Sequence, residues 1–344
     1  MEKKVNVGLI GYGTWTQEAY LPALHRDGRS KIISAAVRSR ETKEKIRTDF
    51  GPDIQIYDRI EDLLSAPELD AVMIAVPDAM HEYTLLKALD SNAAVFYEPP
   101  VADRRERLIP VMKHLLTARN ITFADLELRF IPAVTRSARL IEQGTLGALQ
   151  TARIRLQSGW GPVPDYDLCN LNHMCPWYVD VLNHVLGSTP KRVMLFDGHG
   201  TPGRRQSHCI GHFDYDGILG IVQANITSVG DLDIGLEING DDGDLIVNLL
   251  EGNLRYRTRE NPEWSVEYWP SILPHASWPG MHESVTAFLD AVEAGVATVN
   301  SAEHFAKLLL IGLAAEMSKE NGKWEEIKDL SVFGVCPGRK PTEL

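Results

Sequence analysis

Gly11 and Gly13, in the run Gly11-Tyr12-Gly13-Thr14-Trp15-Thr16, stand directly after the apolar stretch Val5-Asn6-Val7-Gly8-Leu9-Ile10. A buried strand that ends in a glycine turn and opens into a helix aims backbone amides, and the positive end of the helix dipole, at an anion. The chemistry this suits is holding a dinucleotide, with Gly11, Gly13, Thr14 and Trp15 at the ligand. The last glycine of a GxGxxG spacing is replaced by Thr16, which adds a Cβ and a hydroxyl where helix and strand pack closely. A purely structural turn is the competing reading of these residues alone. A second group, Arg38-Ser39-Arg40, closes the stretch Lys31-Ile32-Ile33-Ser34-Ala35-Ala36-Val37. The end of that strand normally meets the adenosine ribose, where a carboxylate would accept from a free 2′-hydroxyl. Two guanidinium groups and a hydroxyl suit a 2′-phosphate instead, so NADP is favoured over NAD; the alternative is a solvated loop.

The elements that must position these residues follow from the pattern of apolar runs. Asp70-Ala71-Val72-Met73-Ile74-Ala75-Val76-Pro77-Asp78 reads as a buried strand with a proline stop, then a helical pattern runs through His81, Leu85, Ala88 and Leu89, then Ala93-Ala94-Val95-Phe96-Tyr97. Strands alternating with helices imply a doubly wound parallel sheet with its ligand crevice at the carboxyl ends of the strands. Gly11, Gly13, Arg38, Pro77, His81 and Glu98, with Pro99 beside it, fall near those ends. Further on, 148–156 alternates in its second half as a half-buried strand does, and 217–226, 234–240 and 245–247 continue the β pattern. Pro176 to Leu186 reads as a helix stopped by Gly187 and Pro190, with Trp177, Asp180 and His184 on one face.

With Gly-Tyr-Gly at 11–13, Asp70-Ala71-Val72 leading to Ala75-Val76-Pro77 and His81, Glu98 with Pro100, and the turn Gly144-Thr145-Leu146-Gly147, the chain resembles the glucose-fructose oxidoreductase, inositol dehydrogenase and rhizopine-catabolism (Gfo/Idh/MocA) family over nearly its whole length. The resemblance implies an α/β protein: an NAD(P)-binding Rossmann domain at 1–125, and at 126–344 a substrate-binding α/β domain with an open, largely antiparallel sheet. It also implies assembly as a homodimer or homotetramer through that sheet. The implied activity is hydride transfer between a nicotinamide and a sugar, cyclitol or related hydroxy or keto compound.

The chain departs from the family where the chemistry is done. The lysine of Glu-Lys-Pro is replaced by Pro99, and alignment on Asp180 and Leu186-Gly187 puts His173 and Trp177 where the family carries an aspartate and a histidine. Proline cannot ionise and indole only donates, so a proton must move through another group. His173 is the leading candidate, since an imidazole exchanges protons near neutral pH; Tyr166, Tyr178, Asp180 and His184 follow. His184 has the alternative of an ordinary buried histidine. Arg129, Tyr166 and Trp177 are the candidate substrate contacts, with a surface ion pair as the competing reading for Arg129 and a core role for Trp177. Trp15, by resemblance, lies near the nicotinamide end, where it packs on the ring or partly occludes the site. The loss of three expected catalytic positions keeps two other readings open: a turnover-dead regulatory or scaffold protein, and a lyase or epimerase that oxidises only transiently.

Composition bounds the remainder. At 344 residues and 44% hydrophobic, the chain supports two domains and a sizeable core, and a net charge of −12 argues against nucleic acid or an anionic membrane as a main partner. No signal-peptide core or membrane-length apolar run is evident, so a cytoplasmic protein is expected. Four cysteines without a CxxC pair suggest reduced thiols. Cys169, His173 and Cys175, or His208, Cys209 and His212, lack the paired spacing of a structural zinc site, so no metal is expected. The Trp264–His282 stretch, with Trp269, His275 and Trp278, is expected to serve as a lid or a subunit contact.

Overall fold

A computed structural model of the protein describes residues 4–159, 175–198, 208–269, 278–297 and 299–334. The chain forms two compact units, the first of residues 1–125, 275–306 and 330–344 and the second of residues 126–274 and 307–329.

The first unit is a six-stranded parallel sheet in the order β3-β2-β1-β4-β5-β6: β1 (Val5–Ile10), β2 (Ser30–Ala36), β3 (Gln55–Tyr57), β4 (Ala71–Ile74), β5 (Ala94–Tyr97) and β6 (Thr122–Ala124). β4 and β5 are buried at every residue, which is why they read as continuous apolar runs rather than alternating ones. Between the strands run α1 (Leu21–Asp27), α2 (Arg40–Phe50), α3 (Ile60–Leu64), α4 (His81–Leu89) and α5 (Arg105–Thr117). The strand order reverses between β1 and β4, so the crevice for a ligand opens above their carboxyl ends.

Thr16 shows how the turn does without its last glycine. Its side chain is buried, its hydroxyl donates to the Gly11 carbonyl at 3.3 Å, and Thr16–Tyr20 winds as a π-helical turn before α1 begins. Tyr20 at the end of that turn packs edge-on against Phe96 of β5, and Phe96 also stacks on Phe123 of β6. A later helix returns to close this cluster, placing Phe288 5.3 Å from Phe96 between ring centres.

The second unit is built on nine strands among the described residues: β7 (Leu149–Gln157), β8 (Arg192–Gly198), β9 (His208–Tyr215), β10 (Ile218–Asn225), β11 (Asp233–Gly240), β12 (Gly243–Asn248), β13 (Asn253–Thr258), β14 (Ser265–Tyr268) and β15 (Glu325–Glu326). Their order is β14-β13-β12-β11-β7-β10-β9-β8-β15, and every pairing is antiparallel except that of β7 with β10. β7 alternates buried and half-buried residues, as a sheet packed on one face requires. Helices α6 (Pro132–Glu142) and α7 (Asp180–Leu186) pack on each other. The helix expected from Pro176 therefore begins as a π-helical turn, Cys175–Val179, and becomes regular at Asp180, ending at Gly187 in the left-handed conformation. The chain's α8 (Met281–Ala294) packs against α1 in the first unit, and α9 (Ala302–Asn321) follows it in sequence.

Candidate active site

The carboxyl ends of β1, β2, β4 and β5 line one cleft of about 750 Å³ in the first unit. Gly11, Gly13, Thr14, Trp15, Arg38, Pro77, His81, Glu98 and Pro99 all line it. The two glycines do different work. At Gly11, with φ +93°, a Cβ would lie 2.0 Å from the Ala75 carbonyl oxygen, so only glycine lets β1 turn past β4. At Gly13 a Cβ would meet nothing within 4 Å, so the backbone there lies open to a ligand. His81 is buried and fixes the rim, its ring nitrogens 2.7 Å from the Val76 carbonyl and 2.9 Å from the Pro100 carbonyl.

At the β2 end, Arg38 is exposed and forms no ion pair among the described residues. Arg59 and Thr42 join it in the lining, two residues that sequence patterning did not single out. Ser39 and Arg40 are outside the lining. Ser39 caps α2, accepting from the Thr42 amide at 3.0 Å, and Arg40 turns along the helix to Glu44 at 2.8 Å with its side chain 92% exposed. Asp58 also lines the cleft, but its carboxylate is held by Lys43.

At the β5 end the site is acidic. Glu98 accepts from the Tyr20 hydroxyl, and Asp125, the residue after β6, is fully buried beside it. Trp15 donates its indole N–H to Asp125 Oδ2 at 3.4 Å and packs on Trp278, ring centres 5.4 Å apart. Burial, then the charge of Glu98, pushes the Asp125 carboxyl well above the usual carboxylate range. Asp125 and Tyr20 were invisible to motif reasoning; the only hint was an acidic residue directly after an otherwise apolar strand.

The second unit gathers another set. Arg129, on the short helical turn Glu127–Phe130, donates to Asp180 Oδ1 at 3.3 Å and to His184 Nδ1 at 3.2 Å. A guanidinium has no lone pair to offer, so Nδ1 is the acceptor and the neutral ring carries its proton on Nε2. Asp180 is 1% exposed and the Arg129 side chain 12%, so this is a buried ion pair, not a surface one. Trp177 donates to Glu127 at 3.0 Å, and Tyr178 is buried, its phenol pushed up by burial and by Glu127. Trp177, Asp180 and His184 thus all meet the Glu127–Phe130 turn, while His173 and Tyr166 lie outside the described residues. Of the tryptophan-rich stretch, Trp264 lies under Arg255 and Arg257 and Trp278 against Trp15, with 270–277 outside the described residues. Among the described residues no cluster of histidine, cysteine, aspartate and glutamate could hold a metal ion, and no helix is long and apolar enough to cross a membrane.

Residues 5–123 match the model of an oxidoreductase family with an NAD-binding Rossmann fold, GFO_IDH_MocA. Inositol 2-dehydrogenase of Corynebacterium glutamicum is 27% identical over 155 residues, 44% of this chain and 45% of that protein. The 2,7-anhydro-N-acetylneuraminate hydratase of Escherichia coli is 24% identical over 211 residues, 58% of this chain and 55% of that protein. These alignments span about half the length of the curated relatives. A levoglucosan dehydrogenase solved with NADH and L-sorbose superposes with a TM-score of 0.83, covering 95% of this chain and all of that one at 17% identity, a likeness of fold. The first unit is therefore an NAD(P)-binding Rossmann fold.

Proposed function

Because the chain belongs, through its dinucleotide-binding unit, to the Gfo/Idh/MocA family, we propose that it is an NADP-dependent oxidoreductase acting on a sugar, cyclitol or related hydroxy or keto compound. The observation that carries this reading is the cleft itself, with a glycine open to ligand at its centre and Arg38 and Arg59 at its β2 end. The bound nicotinamide would accept or give the hydride. Gly13 and the following helix start would receive the pyrophosphate on backbone amides. Arg38 and Arg59, the latter 3.7 Å from Glu61 of the same lining, would hold the 2′-phosphate with the Thr42 hydroxyl. Inositol 2-dehydrogenase among the relatives supports a polyhydroxylated substrate.

For the proton that accompanies hydride transfer, the reading assigns His173 as acid and base. Asp180 and His184, held by Arg129, follow it as candidates for the same work, with Arg129, Trp177 and Tyr166 as substrate contacts. His173→Ala should then cut turnover strongly and leave NADPH affinity unchanged. The exposed apolar residues Phe196, Ile210 and Leu219 on the β8, β9 and β10 strands support a homodimer or homotetramer built through the sheet. A second reading, in which the substrate is oxidised only transiently and the cofactor is retained, draws support from the relative named as a hydratase; it requires cofactor to copurify with the protein.

The test is titration with NADPH and with NADH, followed by energy transfer from tryptophan to the reduced nicotinamide. Saturable binding with NADPH preferred by about tenfold or more, and that preference lost in Arg38→Ala, is expected from one charge-assisted contact worth about 1.5–3 kcal/mol. Failure of folded, cofactor-free protein to bind either nucleotide overturns the reading.

A further inference from the structure

We propose that Glu61 sets how strictly the cleft chooses between the two nicotinamide dinucleotides, its carboxylate accepting from the free adenosine ribose of NAD and opposing the 2′-phosphate of NADP. The inference rests on the cofactor reading above and deepens it.

Arg38 marks the adenosine end at β2, and the segment after β3 is laid beside it. The Val37 amide donates to the Tyr57 carbonyl at 3.0 Å, and Lys43 of α2 reaches across to Asp58. Asp58, Arg59, Ile60 and Glu61 line the cleft there, whereas Asp78, a third carboxylate of the lining, follows β4 on the other side of β1. Asp58 already carries the Lys43 ammonium, so Glu61 is the carboxylate placed to meet a ribose. Its two oxygens are held differently. Oε1 accepts from the Tyr83 hydroxyl of α4 at 2.5 Å, while Oε2 stands 3.7 Å from Arg59 Nε, past hydrogen-bond range. The Tyr83 bond holds the Glu61 carboxyl below its ordinary value, so it is charged at neutral pH.

A ribose hydroxyl can donate to a carboxylate, whereas an ionised phosphate ester offers only acceptor oxygens and negative charge. Arg59 and Glu61 therefore give each cofactor one partner. With NAD, Arg59 stays beside Glu61, and Oε2 takes the ribose O–H. With NADP, Arg59 turns to the phosphate, and Glu61, pinned by Tyr83, remains as a like charge. The turn costs little, because the Arg59 side chain is 69% exposed and an ion pair this open and this long contributes little. The competing account of Glu61 is an acidic residue in the first turn of α3, favoured there by the helix dipole. That account requires a loss of stability when the charge is removed and no change in cofactor choice.

Dissociation constants for NADPH and NADH in the wild type, in Glu61→Gln and in Asp58→Asn test this. The two cofactors differ only in the 2′-phosphate, so their affinity ratio isolates the adenosine end. Glu61→Gln keeps the size of the side chain and removes its charge. NADPH affinity should rise and NADH affinity fall, each by about threefold to fivefold, moving the ratio toward NADPH by about tenfold or more. Asp58→Asn should move it by less than about twofold. In Glu61→Gln, an unmoved NADH affinity, an unchanged ratio or a ratio shifted toward NADH overturns the proposal and leaves the cofactor reading standing. A larger shift in Asp58→Asn than in Glu61→Gln overturns it as well, giving the role to Asp58. A wild type that prefers NADH removes the NADP choice from the cofactor reading, and the shift in Glu61→Gln still decides Glu61. A wild type that binds neither nucleotide takes both down.

Discussion

The two units each bury an aspartate completely and surround it in opposite ways. Asp180 in the second unit faces a cation: Arg129 reaches it and His184 together, and side chains from the Glu127–Phe130 turn and α7 make the whole arrangement. Asp125 in the first unit faces another acid, and the cleft beside it is shaped by backbone: a glycine turn, strand ends and carbonyls clamped by His81. At Asp125 burial and the neighbouring acid both favour the protonated form, whereas the carboxylate of Asp180 has a guanidinium beside it. A site made of side-chain ion pairs should break when one partner goes. A site made of backbone should break only where a side chain is forced into it.

The largest effect is expected on the side-chain-built site. Arg129→Met leaves Asp180 buried without its cation, and should cost about 3–5 kcal/mol of stability by chemical denaturation. Adding Asp180→Asn should recover most of that loss; no recovery would mean Arg129 acts through packing instead. In the backbone-built site the matching pair is Gly11→Ala and Gly13→Ala. The first forces a Cβ to within 2.0 Å of a carbonyl oxygen at positive φ and should cost at least about 1–2 kcal/mol. The second meets nothing and should leave the denaturation midpoint unchanged while weakening cofactor binding.

Asp125→Asn sharpens the contrast through pH. The folded protein holds the Asp125 proton more tightly than the unfolded chain does. The stability this group contributes is full below the ordinary carboxyl range near pH 3.9 and is lost as pH rises toward the folded value. The variant should thus gain on the wild type with increasing pH, and the difference should shrink toward acid. Denaturation midpoints across about pH 5 to 9 read the sign, and a wild type that gains on the variant as pH rises would place a cation near Asp125.

How far these sites could be read from sequence follows the same division. Backbone-built features were legible, because glycines, strand runs and proline stops state their own geometry: the parallel sheet, the turn at Gly11 and the cleft rim at Pro77, His81 and Glu98 all follow from local pattern. The partners of buried charges were not. Asp125 meets Glu98 across β5 and β6, Tyr20 arrives from a helix some eighty residues earlier, and Glu127 meets Trp177 from fifty residues away. Spacing along the chain cannot report such contacts, and their residue types occur on any protein surface. Arg59 was missed for the same reason, since it reaches the cleft from beyond β3 and belongs to no motif.

Ser39 gives the smallest and most discriminating test, since sequence reasoning and geometry assign it different work. The motif Arg38-Ser39-Arg40 offers its hydroxyl to a ribose phosphate, whereas its oxygen accepts from the Thr42 amide and stands 2.6 Å from the Thr42 hydroxyl. A hydroxyl spent on the first turn of α2 stabilises a helix start that would otherwise leave an amide unsatisfied. Ser39→Ala should therefore cost about 1 kcal/mol of stability, with Ser39→Gly milder, and the NADPH-to-NADH affinity ratio should stay at the wild-type value. A variant that keeps its stability but loses the NADPH preference would reverse the assignment: the phosphate would then be read from the loop after β2 as a whole, and Arg40 would have to leave Glu44 to join it.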